Sequence, residues 1–174
     1  MKINLDTYII SDTHFKHDNI IHYCNRPEDH DWLMELYWKS IVQAEDDILH
    51  LGDLMWYKND TQWDDKKTLE DTMRELPGNK YLIKGNHDSK SNDFYESMGF
   101  TIAPKRMFFK HDDKMILFTH YPEKERFDWD INIHGHIHDR RRRLEYDGRL
   151  YINVSVEVMK YTPVQLKYIL SGEV

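Results

Sequence analysis

Cysteine occurs once in the 174 residues, as Cys24. No internal disulfide can form, and no Cys pair suggests a zinc knuckle. Glycine (7) and proline (5) are scarce, and no repeat, low-complexity tract or Gly/Ser linker divides the chain. That excludes a tandem array and leaves a length suited to one well-cored domain, residues 1–174. Long apolar runs are missing too. The opening "MKINLDTYIISDTH" is broken by polar residues and falls short of a signal h-region or a membrane span. Nor is there an excess of positive charge. Lys+Arg 24 against Asp+Glu 31 gives a net −7, which argues against nonspecific nucleic-acid binding driven by overall charge. The expectation is a soluble, cytoplasmic protein of a reducing compartment, with no membrane partner.

What the chain does have is histidine, eleven of them, and a habit of placing them after short apolar runs. Leu5–Ile10 reads as a buried strand, as do Asp47–Leu51, Lys80–Lys84 and Asp130–His134. Arg106–Phe109 and Met115–Thr119 form a strand pair around "HDDK". Leu144–Tyr146 and Leu150–Val156 flank Asp147-Gly148, a hairpin signal, and the C-terminal "PVQLKYIL" reads as an edge strand. Apolar spacing predicts helices over Asp29–Ala44, Thr61–Leu76 and Asp93–Met98. Strand after strand runs into polar residues that can bind metal: Asp12 and His14, Asp53, Asn86 to Asp88, His120, then His136 and His138. In α/β sheets the loops leaving the carboxyl ends of strands build the site. Neutral imidazole is the commonest protein ligand for transition metals.

Five short motifs stand in order: "DTH" (Asp12–His14), "GD" (Gly52-Asp53), "GNHD" (Gly85–Asp88), "TH" (Thr119-His120) and "GHIH" (Gly135–His138). "GD" or "TH" alone carries nothing; the ordered set over positions 12 to 138 resembles the signature of the calcineurin-like metallophosphoesterases. The run "DTHFKHDNIIHYCNRP" is similar to a small bacterial and phage subgroup of that superfamily. The resemblance implies an α/β fold, a four-layer αββα sandwich of two mixed β-sheets flanked by helices, with a metal site at the strand C-terminal ends. It implies two divalent ions, Mn²⁺ first, with Fe, Zn, Ni or Co as alternatives. Asp53 would bridge them, with Asp12, His14 and His138 on one ion and Asn86, His120 and His136 on the other. N/O donors of this kind suit such cations.

The activity implied is hydrolysis of phosphodiesters, nucleotide or cyclic-nucleotide-like, with phosphomonoesters as a second class. A metal-bridging hydroxide would attack in line. His87 would assist the leaving group as a general acid, and Asp88 would orient its imidazole. His136 and His138 share one side of an extended segment, and Gly135 lets the backbone approach closely. His134 has the same phase but lies outside the pattern, and reads as a hydrogen-bonded or packing residue. His17 and Arg26 are the substrate-facing candidates, and His22, His30, His50 and His111 read as structural or surface residues. Trp56 is read as a rim or core aromatic, with stacking on a nucleobase as the alternative. Whether Arg140, Arg141, Arg142 and Arg143 contact substrate stays open. The chain lacks a "DRG" after "GD", and "NVSVE" (Asn153–Glu157) stands where small relatives carry an "NPGS"-like turn. The competing readings are a non-catalytic binding scaffold on the same fold and a nuclease on longer DNA or RNA.

Overall fold

The computed structural model describes residues 2–58 and 61–173. In chain order the elements are β1 (Tyr8–Ile10), α1 (Asn19–Cys24), α2 (His30–Ile41), β2 (Asp47–His50), α3 (Leu69–Glu75), β3 (Asn79–Leu82), α4 (Asn92–Glu96) and β4 (Phe100–Ile102). There follow β5 (Met107–His111), β6 (Lys114–Thr119), β7 (Ile131–His134), β8 (Arg143–Tyr146), β9 (Arg149–Asn153), β10 (Val164–Gln165) and α5 (Leu166–Ser171).

The strands form two five-stranded sheets, β10-β1-β2-β3-β4 and β5-β6-β7-β9-β8. Both are mixed. In the first, β1 to β4 are parallel and β10 is antiparallel; in the second, β6, β7 and β9 are parallel and flanked by antiparallel β5 and β8. Alternation along the strands decides the layers. Ile9 and Leu49 of the first sheet meet Ile116, Phe118, Ile133 and Ile152 of the second in one buried cluster. On the opposite face of the first sheet, Ile10, Ile48 and Leu82 pack under Met34 and Trp38 of α2, Met73 of α3 and Tyr95 of α4. The outer face of the second sheet is covered in part by the 121–130 segment, over Tyr151. Its Trp129 ring meets Tyr151 edge-on, and the Glu123 backbone accepts from the Tyr151 hydroxyl at 3.0 Å. The result is an α/β sandwich of two mixed sheets with helices. No helix among the described residues is long and apolar enough to cross a membrane.

Several elements depart from the sequence reading. The helix expected over Thr61–Leu76 begins only at Leu69. Asp64 Oδ1 accepts from the backbone N–H of Lys66 and Lys67, a local turn that competes with helix, and Thr68 with Asp71 forms a capping box at the true start. The expected last strand is two residues of β10, then α5, whose Leu166 and Ile169 point inward at helical spacing. Short α1 and β4 lacked a pattern long enough to be read. The Asp147-Gly148 turn is present with both φ positive, 54° and 74°, the geometry a tight hairpin demands.

Candidate metal centre

The carboxyl ends of β1, β2 and β3 and those of β6, β7 and β9 all open at the same end of the sandwich. A bridge between Ser11 and Ser155 ties the two sheets together there. Asp12, His14, Asp53, His136 and His138 all have left-handed backbones, φ between 48° and 71°. Such conformations are uncommon for non-glycine residues and concentrate at functional sites. The crowding leaves room for glycine alone at Gly52, Gly85 and Gly135. A Cβ on Gly85 would fall 2.3 Å from Asp53 Oδ1, and one on Gly135 would fall 2.2 Å from Asp12 Oδ2 and 2.0 Å from Ser11 Oγ.

Asp53 lies at the middle. Its Oδ2 is 3.5 Å from His14 Nε2 and 3.5 Å from His120 Nε2, while Oδ1 accepts the backbone N–H of His87 at 2.8 Å. Around it two donor sets converge, Asp12 with His14 and His138, and Asp53 with His120 and His136. Within each, the ligand-type atoms lie within 4.8 Å of one another. Asn86 joins the second set, its Oδ1 2.9 Å from His120 Nε2. All seven candidate ligands are thus brought together.

The donor chemistry fits a cation. His120 Nδ1 donates to the Leu51 carbonyl at 2.8 Å, so Nε2 carries a lone pair that faces Asn86 Oδ1 and Asp53 Oδ2, acceptors all. His14 Nδ1 lies 3.4 Å from His17 Nδ1, and its Nε2 is buried with no hydrogen-bond partner. Asp12, Asp53 and Asp88 are buried, as is the Glu157 side chain, and among the described residues one guanidinium, Arg26, is paired with them. Buried charge without compensation is expensive. Burial raises the Asp53 carboxyl above its ordinary pKa, and neighbouring Asp12 and Asp88 add to the rise. Burial likewise lowers His14 and His136, favouring the neutral imidazole that a metal requires.

His87 stands exposed at the rim, its ring 5.0 Å from that of His14 and 5.9 Å from Trp56. His17 lines the mouth of the centre, stacked on Trp56 at 4.6 Å with 11° between the rings. Two expected roles are overturned. Asp88 does not orient His87. Its carboxylate turns inward and accepts the backbone N–H groups of Asp53 (2.7 Å), Gly85 (2.8 Å) and Leu54 (3.1 Å), stapling the "GD" and "GNHD" loops together. Arg26 is not open to substrate. Its guanidinium is buried, donating to the carbonyls of Thr13 (2.7 Å) and Asp12 (2.6 Å) and to Glu157 Oε1 (2.6 Å). His134 is buried as a packing histidine, Nδ1 2.9 Å from the Gly135 carbonyl.

Glu157 is the residue that sequence reading missed. Its Oε1 accepts from His138 Nδ1 at 3.0 Å, the carboxylate–histidine pairing that fixes a ligand's tautomer and raises its basicity. Burial opposes charge on His138, but the Cys24 thiol and Glu157 outweigh it and hold the imidazole up, to about 10. The signal was there in "NVSVE", a departure from the expected turn, without a partner to pair it with.

Three comparisons bear on this geometry. The family model for the calcineurin-like phosphoesterase superfamily domain matches residues 5–163. The uncharacterized protein MJ1445 of Methanocaldococcus jannaschii is 35% identical over 173 residues, 93% of this chain and 88% of that one. The crystal structure of AQ665 from Aquifex aeolicus, a protein of unknown function, superposes with a TM-score of 0.73 at 27% identity, covering 95% of this chain and 97% of that one. The E. coli phosphoesterase YfcE shares the fold, with a TM-score of 0.52 at 15% identity over 84% of this chain and 77% of its own.

Proposed function

The chain belongs to the calcineurin-like phosphoesterase superfamily, and on that premise we propose that it is a metal-dependent hydrolase of phosphodiesters, with phosphomonoesters as a second class. The observation that carries this reading is the position of Asp53 Oδ2, 3.5 Å from an imidazole nitrogen of each donor set. Asp12, His14 and His138 would hold one divalent cation and Asn86, His120 and His136 the other, with Asp53 between them. Mn²⁺ is the first choice and Fe, Zn, Ni or Co the alternatives, since N/O donor sets of this kind accept all of them. Bound cations supply Lewis acidity toward a phosphoryl oxygen and acidify a water to the neutral range.

The chain's own residues do the rest. His87, exposed at the rim, is the proton donor for the leaving oxygen. Its backbone N–H on Asp53 Oδ1 ties the rim position to the bridging carboxylate. His17, packed between His14 and Trp56, shapes the mouth through which the ester enters. Glu157 holds the His138 proton at Nδ1, which leaves Nε2 as the donor atom. The single cysteine suits a reducing, cytoplasmic setting, and the shared core between the sheets suits one domain over 1–174.

The test is hydrolysis of an aryl phosphodiester and the matching monoester by metal-stripped protein, with Mn²⁺, Ni²⁺, Zn²⁺ or Mg²⁺ added back. Diester cleavage that returns with the cation supports the reading. Tight cation binding with no turnover of either ester would overturn it in favour of a binding scaffold.

A further inference from the structure

Arg140 lines two cavities at once. One, of about 390 Å³, is the mouth of the candidate metal centre, with His14, His87 and His138 on its walls. The other, of about 600 Å³, lies against the β8–β9 hairpin and is lined by Arg141, Leu144, Tyr146 and Tyr151. Ile137 is also common to both, so the two spaces share a wall built from the segment that carries His138.

The second cavity combines a flat apolar face with free positive charge. Alternation puts Leu144 and Tyr146 on one side of β8, and the pairing register sets Leu144 opposite Tyr151 on β9. Tyr146 is 67% exposed and Leu144 39%. Three neighbouring arginines are engaged: Arg143 donates to the Ile169 carbonyl, Arg126 pairs with Asp147, and Arg149 lies over the Trp129 ring; Arg142 is half-buried, its Nε and Nη2 without a hydrogen-bond partner. Arg140 and Arg141 are exposed, and no carboxylate among the described residues pairs with either. In a chain of net charge −7, two unpaired guanidiniums beside an open tyrosine select a ligand that is both anionic and aromatic. Guanidinium recognises phosphate with a planar fork, and a tyrosine face accepts any base by stacking.

We propose that the hairpin cavity is a subsite for the nucleotide adjoining the scissile phosphodiester, so that the substrate is a short single-stranded oligonucleotide. Tyr146 and Leu144 receive the base, and Arg140 and Arg141 receive the next phosphate along. The choice of bond to be cut rests on the phosphodiesterase reading; the binding itself does not.

The experiment is equilibrium binding of a fluorescently labelled tetranucleotide and of the matching mononucleotide to metal-stripped protein, at several salt concentrations. Tyr146→Ala, Tyr146→Phe and the double substitution Arg140→Ala/Arg141→Ala are measured alongside, each checked for native circular dichroism. The tetranucleotide is expected to bind more tightly than the mononucleotide. Tyr146→Ala should weaken it by roughly 5- to 150-fold, the span of base–aromatic stacking, with Tyr146→Phe close to the parent. Removing both arginines, which share one phosphate, should flatten the log–log salt slope by about 0.7, the value per phosphate neutralised on a single strand. Equal affinity for the two ligands, or Tyr146→Ala binding like the parent with an unchanged salt slope in the arginine variant, would overturn the subsite. A tetranucleotide that binds as expected but is not cut with any cation would overturn the phosphodiesterase reading and leave the subsite standing. An aryl diester that is cut while the tetranucleotide goes unbound would do the reverse.

Discussion

His138 donates from Nδ1 to Glu157 Oε1 across 3.0 Å, joining the loop after β7 to the turn after β9. The same oxygen takes Nε and Nη2 of Arg26, at 2.9 and 2.6 Å, and Arg26 in turn holds the backbone carbonyls of Asp12 and Thr13. One carboxylate therefore fixes a candidate ligand and, through a guanidinium, the loop that carries two others.

Glu157→Gln should lower cation affinity by about 10- to 100-fold, the usual effect of losing a carboxylate behind a histidine ligand. Glu157→Ala should also destabilise the fold by on the order of 3–5 kcal/mol, because it leaves the Arg26 guanidinium buried without its counter-charge. Titration calorimetry with Mn²⁺ and urea unfolding measure the two effects separately. Parental affinity in Glu157→Gln would remove the orienting role.

His87→Ala should retain the cations and lose roughly 10²- to 10⁴-fold in kcat, the range for a positioned general acid. Metal analysis of the purified variant, run beside diester turnover, separates this from a ligand role. Turnover at the parental rate would contradict the assignment.

Asp53→Asn should abolish the rise in melting temperature that added cation gives the parent. In metal-free buffer the variant should be at least as stable as the parent, since a buried carboxylate whose pKa is raised by burial and by Asp12 and Asp88 is no longer charged there. Differential scanning calorimetry with and without chelator shows both.

Gly135→Ala should disrupt cation binding and stability together, because its Cβ would meet Ser11 Oγ and Asp12 Oδ2 at 2.0 and 2.2 Å. Gly148→Ala, at φ +74° with nothing within 4 Å, should cost only about 1 kcal/mol through backbone strain. Chemical unfolding of the pair distinguishes crowding from conformation.

Metal-free protein should lose stability as the pH falls below about 6.5. His50 is fully buried and neutral, pushed down to about 3; Nδ1 accepts from the Gly52 N–H and Nε2 donates to Thr13 Oγ1. His134 is pushed down to about 4 by burial. Between those values and 6.5 the unfolded chain binds protons that the folded one refuses, so each group lowers stability by about 1.4 kcal/mol per pH unit. The loss from each levels off below its folded pKa. Urea midpoints from pH 7 to 4 follow the slope, and His50→Gln should make it shallower.

The strands and the candidate ligand positions were legible in the sequence because each is a local pattern: a short apolar run followed by Asp, Asn or His. Asp12 to His138 could be read this way, and the Asp147-Gly148 turn announced its hairpin. What was not legible depends on distant partners. Asp88 sits beside His87 in sequence, yet three backbone N–H groups from two loops claim its carboxylate. Arg26 reads as a substrate-facing arginine until Glu157, 131 residues away, is brought against it. The helix expected from Thr61 was lost to the Asp64 turn, a competition between a side chain and the backbone that periodicity does not register.

The centre straddles the seam between the sheets, with Asp12, His14, Asp53 and Asn86 leaving the first and His120, His136 and His138 leaving the second. During synthesis the ribosome delivers the carboxylate-bearing half long before the histidine-rich half. Neither half alone holds a complete donor set, since each set draws on His136 or His138, so a cation held there would be captured late, once the β6–β7 loops have been made and docked. A ribosome stalled before His136 would leave a nascent chain with neither donor set complete.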